Sequence, residues 1–256
     1  MKTQMTNPTI LAIETATSGC SAALLHDGHV EELYEVGNNI HSKKLLSMIS
    51  ELFAQASIVA RDLDFVAVGQ GPGSFTGLRI GVGVGQGIAY GSGCRMIGVS
   101  SLDALAQSLM ESASSLNDPL TVLAAIDARM GEVYWAEYCL KKDALERIGD
   151  WQVSPPEAVS SNSYSVNNSC SVNSKNTVKL VGNAWPEYWE QFNNSIRDAG
   201  HIVEGTLYPS ARHILQLAIK EEHANNSVPA ADFAPIYVRN DVAKKSTKPL
   251  PGRRVQ

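Results

Sequence analysis

SFTGLRIGVGVGQGIAYG, residues 74–91, is a predicted helix in which six of eighteen residues are glycine. A glycine inside a helix costs about 1 kcal/mol relative to alanine, so six cost about 5–6 kcal/mol, comparable to the whole stability of many domains. A second backbone can come closer to a helix face without side chains than to a ridge of leucines, and such packing offsets the cost. The segment therefore predicts a docking surface. Its glycines form two stripes with a four-residue spacing, one at Gly77, Gly81 and Gly85 and the other at Gly83, Gly87 and Gly91.

The loop before this helix, GQGPGS at residues 69–74, has the glycine content of a phosphate-binding loop. A P-loop also needs a lysine, and none lies between Asp62 and Leu120. The dinucleotide fingerprint GxGxxG fails as well, because Thr76 stands where its third glycine belongs. We therefore favour a simple strand-to-helix corner, with Ser74 as the N-cap of the helix.

Bulk composition is typical of a globular protein. The chain has 256 residues, 44% of them hydrophobic, and its net charge of −5 gives no general attraction to nucleic acid. The first apolar run is too short for a signal peptide or a membrane span, so we expect a cytoplasmic protein without membrane contact. The cysteines form no CxxC pair, and we predict free thiols at Cys20, Cys94, Cys139 and Cys170.

The order of apolar segments predicts two lobes. From Thr9 to Ser112 three strands are followed by helix, strand, helix, strand and helix, which is typical of a mixed sheet covered by helices. A less regular unit begins near Leu120 with two paired strands. The predicted lobes are residues 1–112, which carry the interface helices, and residues 113–256, which carry an Asn/Ser-rich insertion at 160–177 and a basic tail.

Five segments and the amphipathic helix that opens with His41 carry a resemblance to a known family. The segments are AIETATSGCSAAL from residue 12, GQGPGSFTGLRIGVGVGQGIAYG from 69, IGVSSLDALA from 97, AAIDARMGEVYWAEY from 124 and PIYVRNDVAKKSTKPLPG from 235. Together they resemble the TsaB family of bacterial tRNA-modification proteins, also called YeaZ. The resemblance implies the actin-like ATPase fold of the ribonuclease H, sugar kinase and Hsp70 superfamily. In that α/β fold, two lobes each contain a mixed sheet flanked by helices.

The same resemblance implies a role without catalysis. The chain would serve as scaffold and activating subunit for a TsaD-like catalytic subunit, which makes threonylcarbamoyladenosine in tRNA together with a TsaE-like ATPase. This chain would need no cofactor, the complex would use ATP, and contact with tRNA would be indirect. We expect a homodimer when the chain is alone, and the question of activity by the chain alone stays open.

The expected interface combines the glycine helix with an amphipathic helix at residues 41–57. Replacing Gly81 or Gly85 by leucine should then leave the monomer folded and prevent association. The predicted interface residues are Leu45, Leu46, Ile49, Leu52, Phe53, Gly77, Leu78, Gly81, Val84, Gly85 and Ile88.

In an actin-like enzyme the first hairpin supplies a metal-orienting acid and a phosphate-binding turn. The matching positions here define a degenerate nucleotide site at Glu14, Thr15, Thr17, Ser18 and Gly19. A free-standing ATP-dependent phosphotransferase is therefore the rival function. We predict no metal site, because none of the six histidines forms the HxxxH pair of the TsaD-like family.

Three further features have two interpretations each. Asp127, Arg129 and Glu132 could transfer protons or merely form an ion pair, and the ion pair is favoured. Ser74 could act as a nucleophile only if a histidine and an acid meet it in space. The basic stretch at residues 239–254 is either solvated or extended along an acidic partner or tRNA phosphates.

Overall fold

The computed structural model describes residues 8–110, 119–142, 144–161, 178–220 and 225–239, and in these residues the strands form two sheets. The first sheet has the order β11-β5-β4-β1-β2-β3, with strands β1 (Ile10–Glu14), β2 (Gly19–His26), β3 (His29–Val36), β4 (Phe65–Gly71), β5 (Arg95–Ser100) and β11 (Val228–Pro229). The second has the order β10-β9-β6-β7-β8, with strands β6 (Leu120–Arg129), β7 (Glu132–Lys141), β8 (Ala144–Ser154), β9 (Val178–Val181) and β10 (Gly200–Ile202).

The two sheets repeat one topology. In each, the first strand pairs antiparallel with the second, and the second pairs antiparallel with the third. The first strand also pairs parallel with the fourth, which pairs parallel with the fifth. The helices are α1 (His41–Ala56), α2 (Phe75–Ser92), α3 (Ser101–Gln107), α4 (Ala184–Tyr188), α5 (Asn194–Ala199) and α6 (Ala211–Ala218).

The first sheet is covered on both faces because side chains alternate along its buried strands. Leu11 and Ile13 of β1 pack with residues of α1 and α2. Ile10 and Ala12 of the same strand pack with α6 on the opposite face. Helix α3 reaches the second sheet, where its leucines pack against apolar residues of β6 and β7, so α3 joins the two lobes.

The predicted order of the first eight elements is confirmed, while three elements of the second lobe escaped prediction. Strand β8 is half-exposed and its sequence, ALERIGDWQVS, lacks a clear alternation of apolar and polar residues. Helix α5 and strand β10 have only six and three residues, too few for a periodic pattern.

The division at residues 112 and 113 stays a prediction. Two elements from beyond that boundary contact the first sheet, since α6 packs on one face and β11 extends one edge. The predicted Asn/Ser-rich loop at 160–177 and the basic tail fall almost wholly outside the described residues.

The prediction of free thiols is wrong at Cys139, which is disulfide-bonded. Cys20 and Cys94 are free. Spacing alone could not separate these cases, since a disulfide depends on the distance between two chain segments in the fold.

The two glycine stripes of α2 have different environments. A Cβ atom on Gly77 would lie 2.1 Å from the Thr15 carbonyl oxygen, and one on Gly81 would lie 2.3 Å from Thr15 Oγ1. A Cβ on Gly85 would lie 2.7 Å from a methyl carbon of Val68. This inner stripe therefore packs on β1 and β4 of its own chain, and the prediction that Gly81 and Gly85 tolerate leucine in a folded monomer is wrong.

The outer stripe consists of Gly83, Gly87 and Gly91. Among the residues that the structure describes, none would lie within 4 Å of a Cβ atom on any of the three. These glycines lie on the surface of the chain, where another molecule can reach them.

Candidate functional site

A cleft of about 460 Å³ lies between the lobes. The first lobe contributes the loop after β1 and the starts of α1 and α2, while the second contributes the end of β6 and Asn183. Tyr237 and Arg239, near the end of the described chain, complete the wall. The cleft borders part of the segment in which the sequence predicted a degenerate nucleotide site.

Only Thr17 and Ser18 of the five residues predicted for that site line the cleft. Thr15 is fully buried, and its hydroxyl donates a hydrogen bond to the Gly77 carbonyl oxygen at 2.9 Å. Gly19 packs under Tyr34 and Tyr208 instead of facing the cavity. The prediction is therefore wrong for Thr15 and Gly19, because close packing of α2 and of these aromatic rings covers them.

The prediction is also wrong for Glu14, which is a core residue. Its carboxylate accepts a hydrogen bond from the Ala16 backbone N–H at 2.5 Å and another from Ser101 Oγ at 2.8 Å. A Cβ atom on Gly69 would lie 2.1 Å from its Oε2 atom, so the carboxylate is enclosed on that side as well. Burial raises the pKa of Glu14, although hydrogen bonds from Ala16, Ser101 and Thr15 act in the opposite direction.

This raised pKa makes protein stability depend on pH. The folded protein keeps the Glu14 proton over a pH range in which the unfolded chain has released it. The stability that protonated Glu14 contributes is therefore complete below pH 4.5 and is lost as the pH rises through the folded-state pKa. Glu14→Gln does not titrate and can still accept from Ala16. We expect the free energy of unfolding of the natural protein to fall with rising pH relative to that of this variant, as measured by urea denaturation between about pH 4 and 8.

His213 titrates in the same range with the opposite sign, because burial lowers its pKa from 6.5 to about 4. It is present in both proteins, so its contribution cancels in the difference between them. A difference in unfolding free energy between the natural protein and Glu14→Gln that stays constant with pH would contradict the assignment of Glu14 as a buried acid with a raised pKa.

Asp127, Arg129 and Glu132 form two separate ion pairs. The Arg129 guanidinium lies 3.1 Å from Asp127 Oδ2, and the Tyr188 hydroxyl donates to Asp127 Oδ1 at 2.8 Å. Glu132 pairs with Arg239 instead. Because each carboxylate already has a cationic partner, the arrangement supports the ion-pair interpretation over proton transfer.

Ser74 serves as the predicted N-cap of α2, since its hydroxyl accepts a hydrogen bond from the Gly77 N–H at 3.2 Å. His41 lines the same cleft, but its Nε2 atom contacts the carbonyl oxygens of Thr17 and Gly19 at 2.9 and 3.2 Å. Within the described ranges no hydrogen bond joins Ser74 to a histidine, and no group of three His, Cys, Asp or Glu side chains is arranged to hold a metal ion.

The second candidate site is the outer face of α1 and α2. Leu46 of α1 is 59% exposed, and Tyr90 of α2 is 82% exposed. Between α2 and the turn that follows α1 lies a groove lined by Val59, Ala60, Arg61, Gly87, Ile88 and Gly91. We call the surface formed by Leu46, Tyr90, this groove and the outer glycine stripe the outer helical face.

The structure divides the residues predicted for the interface into two groups. Leu46 is exposed, and Phe53, Val84 and Ile88 are half-buried, so these four belong to the outer helical face. The prediction is wrong for seven residues that pack inside their own chain, which are Leu45, Ile49, Leu52, Gly77, Leu78, Gly81 and Gly85. Sequence reasoning missed Val59 and Tyr90, because both lie outside the periodic apolar positions of the two helices.

Two sheets of one repeated topology, with a cleft between them, define an actin-like ATPase fold. The chain is similar to the solved structure described as YeaZ from Pseudomonas aeruginosa, with 34% identity, a TM-score of 0.76 and coverage of 90% of this chain and 99% of that chain. A second Pseudomonas aeruginosa structure, described as similar to peptidase YEAZ, has 33% identity and a TM-score of 0.77, and it covers 91% of this chain and 100% of that chain.

The sequence relatives identify the family more specifically than the fold does. The family model described as TsaD, tRNA N6-adenosine threonylcarbamoyltransferase, matches residues 35–246. Proteins named tRNA threonylcarbamoyladenosine biosynthesis protein TsaB are 36% identical in Haemophilus influenzae, over 97% of this chain and 100% of that protein, and 37% identical in Escherichia coli, over 95% and 99%. The chain belongs to the TsaB family, also called YeaZ, as its motifs predicted. Among the described residues, no helix has the length and apolar character needed to cross a membrane.

Proposed function

We propose that this protein takes part in the formation of threonylcarbamoyladenosine in tRNA as a subunit without catalysis of its own. It binds a TsaD-type catalytic subunit through the outer helical face and activates it, in the cytoplasm, with a TsaE-type ATPase as the third component. The complex uses ATP, and this chain requires no cofactor. The names of the relatives and the matched family model support the pathway.

The outer glycine stripe is the observation that carries this proposal. Contacts with β1 and β4 account for the inner stripe, but within the part of the chain that the structure describes, a Cβ atom on Gly83, Gly87 or Gly91 would extend into open space. Three exposed helical glycines still cost about 3 kcal/mol relative to alanine. A partner helix that packs backbone to backbone on this stripe supplies the compensation, with the half-buried Val84 and Ile88 as flanking apolar contacts. When the chain is alone, the same face pairs two copies of it.

The cleft gives little support to the rival function, an ATP-dependent phosphotransferase. Glu14 is enclosed by Gly69 and Ser101, so it does not reach a ligand in the cavity. The rival predicts that the purified protein alone hydrolyses ATP at about 1 per second or faster, the usual range for enzymes. That result would replace the proposal.

Leu46→Lys tests the partner surface. Leu46 is 59% exposed on the outer helical face, and Ile219→Lys is the matched control because Ile219 is 46% exposed beyond α6, on the other face of the first sheet. A lysine at the centre of an apolar interface loses packing and buries a charge, so we expect Leu46→Lys to weaken binding to a TsaD-type protein by at least about tenfold. Tenfold or greater loss of tRNA modification in the reconstituted system should accompany it.

Binding can be measured by calorimetry and the modified nucleoside by mass spectrometry. The Ile219→Lys variant should bind and support modification like the natural protein. Equal affinity of the two variants would refute the outer helical face as the partner surface, and full modification without this chain would refute the activating role.

A further inference from the structure

The last described segment leaves the edge of the first sheet and runs along α2. Val228 pairs with Met96 of β5. The Gln86 side chain of α2 then donates hydrogen bonds through Nε2 to the carbonyl oxygens of Ala230 and Phe233, at 2.9 and 3.0 Å. The side chains of Ala230 and Phe233 are buried in the same apolar cluster as α1 and α2. This part of the segment is therefore firmly attached to the first lobe.

The segment continues along the first lobe to the rim of the cleft. The Ile236 N–H donates to the Gln70 carbonyl oxygen at 2.7 Å. The Tyr237 ring lies 5.6 Å from the ring of Phe75, at the start of α2, and Arg79 Nε donates to the Tyr237 hydroxyl at 3.4 Å. Tyr237 thus attaches the segment to the start of α2.

Two residues later the chain contacts the second lobe. The Arg239 guanidinium pairs with Glu132 and donates to the Arg129 carbonyl oxygen at 3.4 Å, so it holds both sides of the turn between β6 and β7. The Cζ atom of the Arg239 guanidinium also lies 5.9 Å from the centre of the Tyr134 ring. The Arg239 side chain is only 15% exposed, which limits screening of the ion pair by water.

We propose that residues 230–239 form a clasp that holds the β6–β7 turn against α2 and sets the width of the cleft. Helix α3 joins the lobes through its leucines, Leu145 of β8 packs against the apolar clusters of both sheets, and the clasp adds a link at the rim, where Tyr237 and Arg239 line the cavity. With the clasp closed, the lobes cannot rotate about α3 without breaking the Arg239 contacts.

The clasp also connects two surfaces of the molecule. Gln86 lies between Gly83 and Gly87 in the sequence of α2, the helix that carries the outer stripe. A partner that shifts α2 therefore changes the position of the clasp and, through Arg239, the β6–β7 turn. This coupling rests on the proposed function, whereas the clasp itself rests on contacts within one chain and is tested without a partner.

Arg239→Gln opens the clasp at its second-lobe end. Hydrogen exchange of the isolated full chain should become roughly fivefold faster at the amides of the β6–β7 turn, while exchange in the central strands stays unchanged. Spin labels at Ser42, which lines the cleft, and at Glu187, exposed on α4, should report a longer and broader distance distribution. Cys94 is replaced by alanine in every labelled protein so that it takes up no label.

Arg197→Gln is the matched control. It removes an ion pair of 2.8 Å with Glu190, and both residues belong to the second lobe. Unchanged distances and exchange are expected for it. The double variant Glu132→Arg with Arg239→Glu should restore the natural distance distribution, and Tyr237→Ala should widen it from the other end.

The proposal is overturned if Arg239→Gln and the natural protein give the same distances and exchange rates. It is also overturned if Arg197→Gln widens the cleft equally, because that result means general loosening of the second lobe. Since these measurements use no TsaD-type protein, they can fail while its binding at Leu46 succeeds, and the reverse holds as well.

Discussion

Gly77→Ala is expected to destabilise the protein by at least about 2 kcal/mol, whereas Gly87→Ala in the same helix should stabilise it by about 1 kcal/mol. The added Cβ at Gly77 would lie 2.1 Å from the Thr15 carbonyl oxygen, and neither backbone can yield without moving α2 away from β1. The added Cβ at Gly87 meets open space, so only the better helix propensity of alanine remains. Urea denaturation of the isolated protein measures both changes.

A larger substitution at Gly87 separates the effect on folding from the effect on association. Gly87→Leu should leave the isolated chain folded and weaken both self-association and TsaD-type binding by about tenfold or more, because the side chain keeps a partner backbone at a distance. Sedimentation and calorimetry measure the two effects. Gly93→Ala is not a suitable control, because Gly93 has a φ of +76° and alanine would be strained there. Destabilisation by Gly87→Ala, or unchanged association of Gly87→Leu, would contradict the division into inner and outer stripes.

Asp103→Ala should cost about 3 kcal/mol of stability. The Tyr138 hydroxyl and the Trp151 indole N–H both donate to Asp103 Oδ1, at 2.7 and 3.1 Å, and the Arg147 guanidinium lies 3.9 Å away. Without the carboxylate, two donors between α3 and the second sheet lose their acceptor, and Tyr138 is fully buried. Burial and the neighbouring Asp103 also raise the pKa of Tyr138 well above 10, so it remains a donor at neutral pH.

Two variants serve as controls for the Asp103 measurement. Tyr138→Phe removes one donor and keeps the Trp151 bond, so a cost of about 1 kcal/mol is expected. Glu190→Ala removes an exposed ion pair with Arg197 and should cost less than about 1 kcal/mol. Thermal unfolding followed by circular dichroism ranks the three. A cost for Asp103→Ala no larger than that for Glu190→Ala would show that the network contributes little.

Much of the first lobe follows from local pattern. The short, mostly apolar runs of β1 and β2, the apolar stripe of α1 and the serine N-cap of α2 all predict the observed elements. Strand β8 could not be predicted in this way, because it is an edge strand with a mostly half-exposed, irregular pattern. Arg239 in the cleft wall was missed for a different reason, since its partner Glu132 lies 107 residues earlier in the chain.

The sequence by itself determined the family, the order of elements in the first lobe and the spacing of the two glycine stripes. It could not determine which stripe turns inward. The helical repeat fixes the angle between the stripes, but apolar residues accompany both of them, Leu78 and Val82 on the inner side and Val84 and Ile88 on the outer side. Only the tertiary structure decided it, because the inner stripe is the one against which the Thr15 backbone and Val68 pack too closely for any side chain.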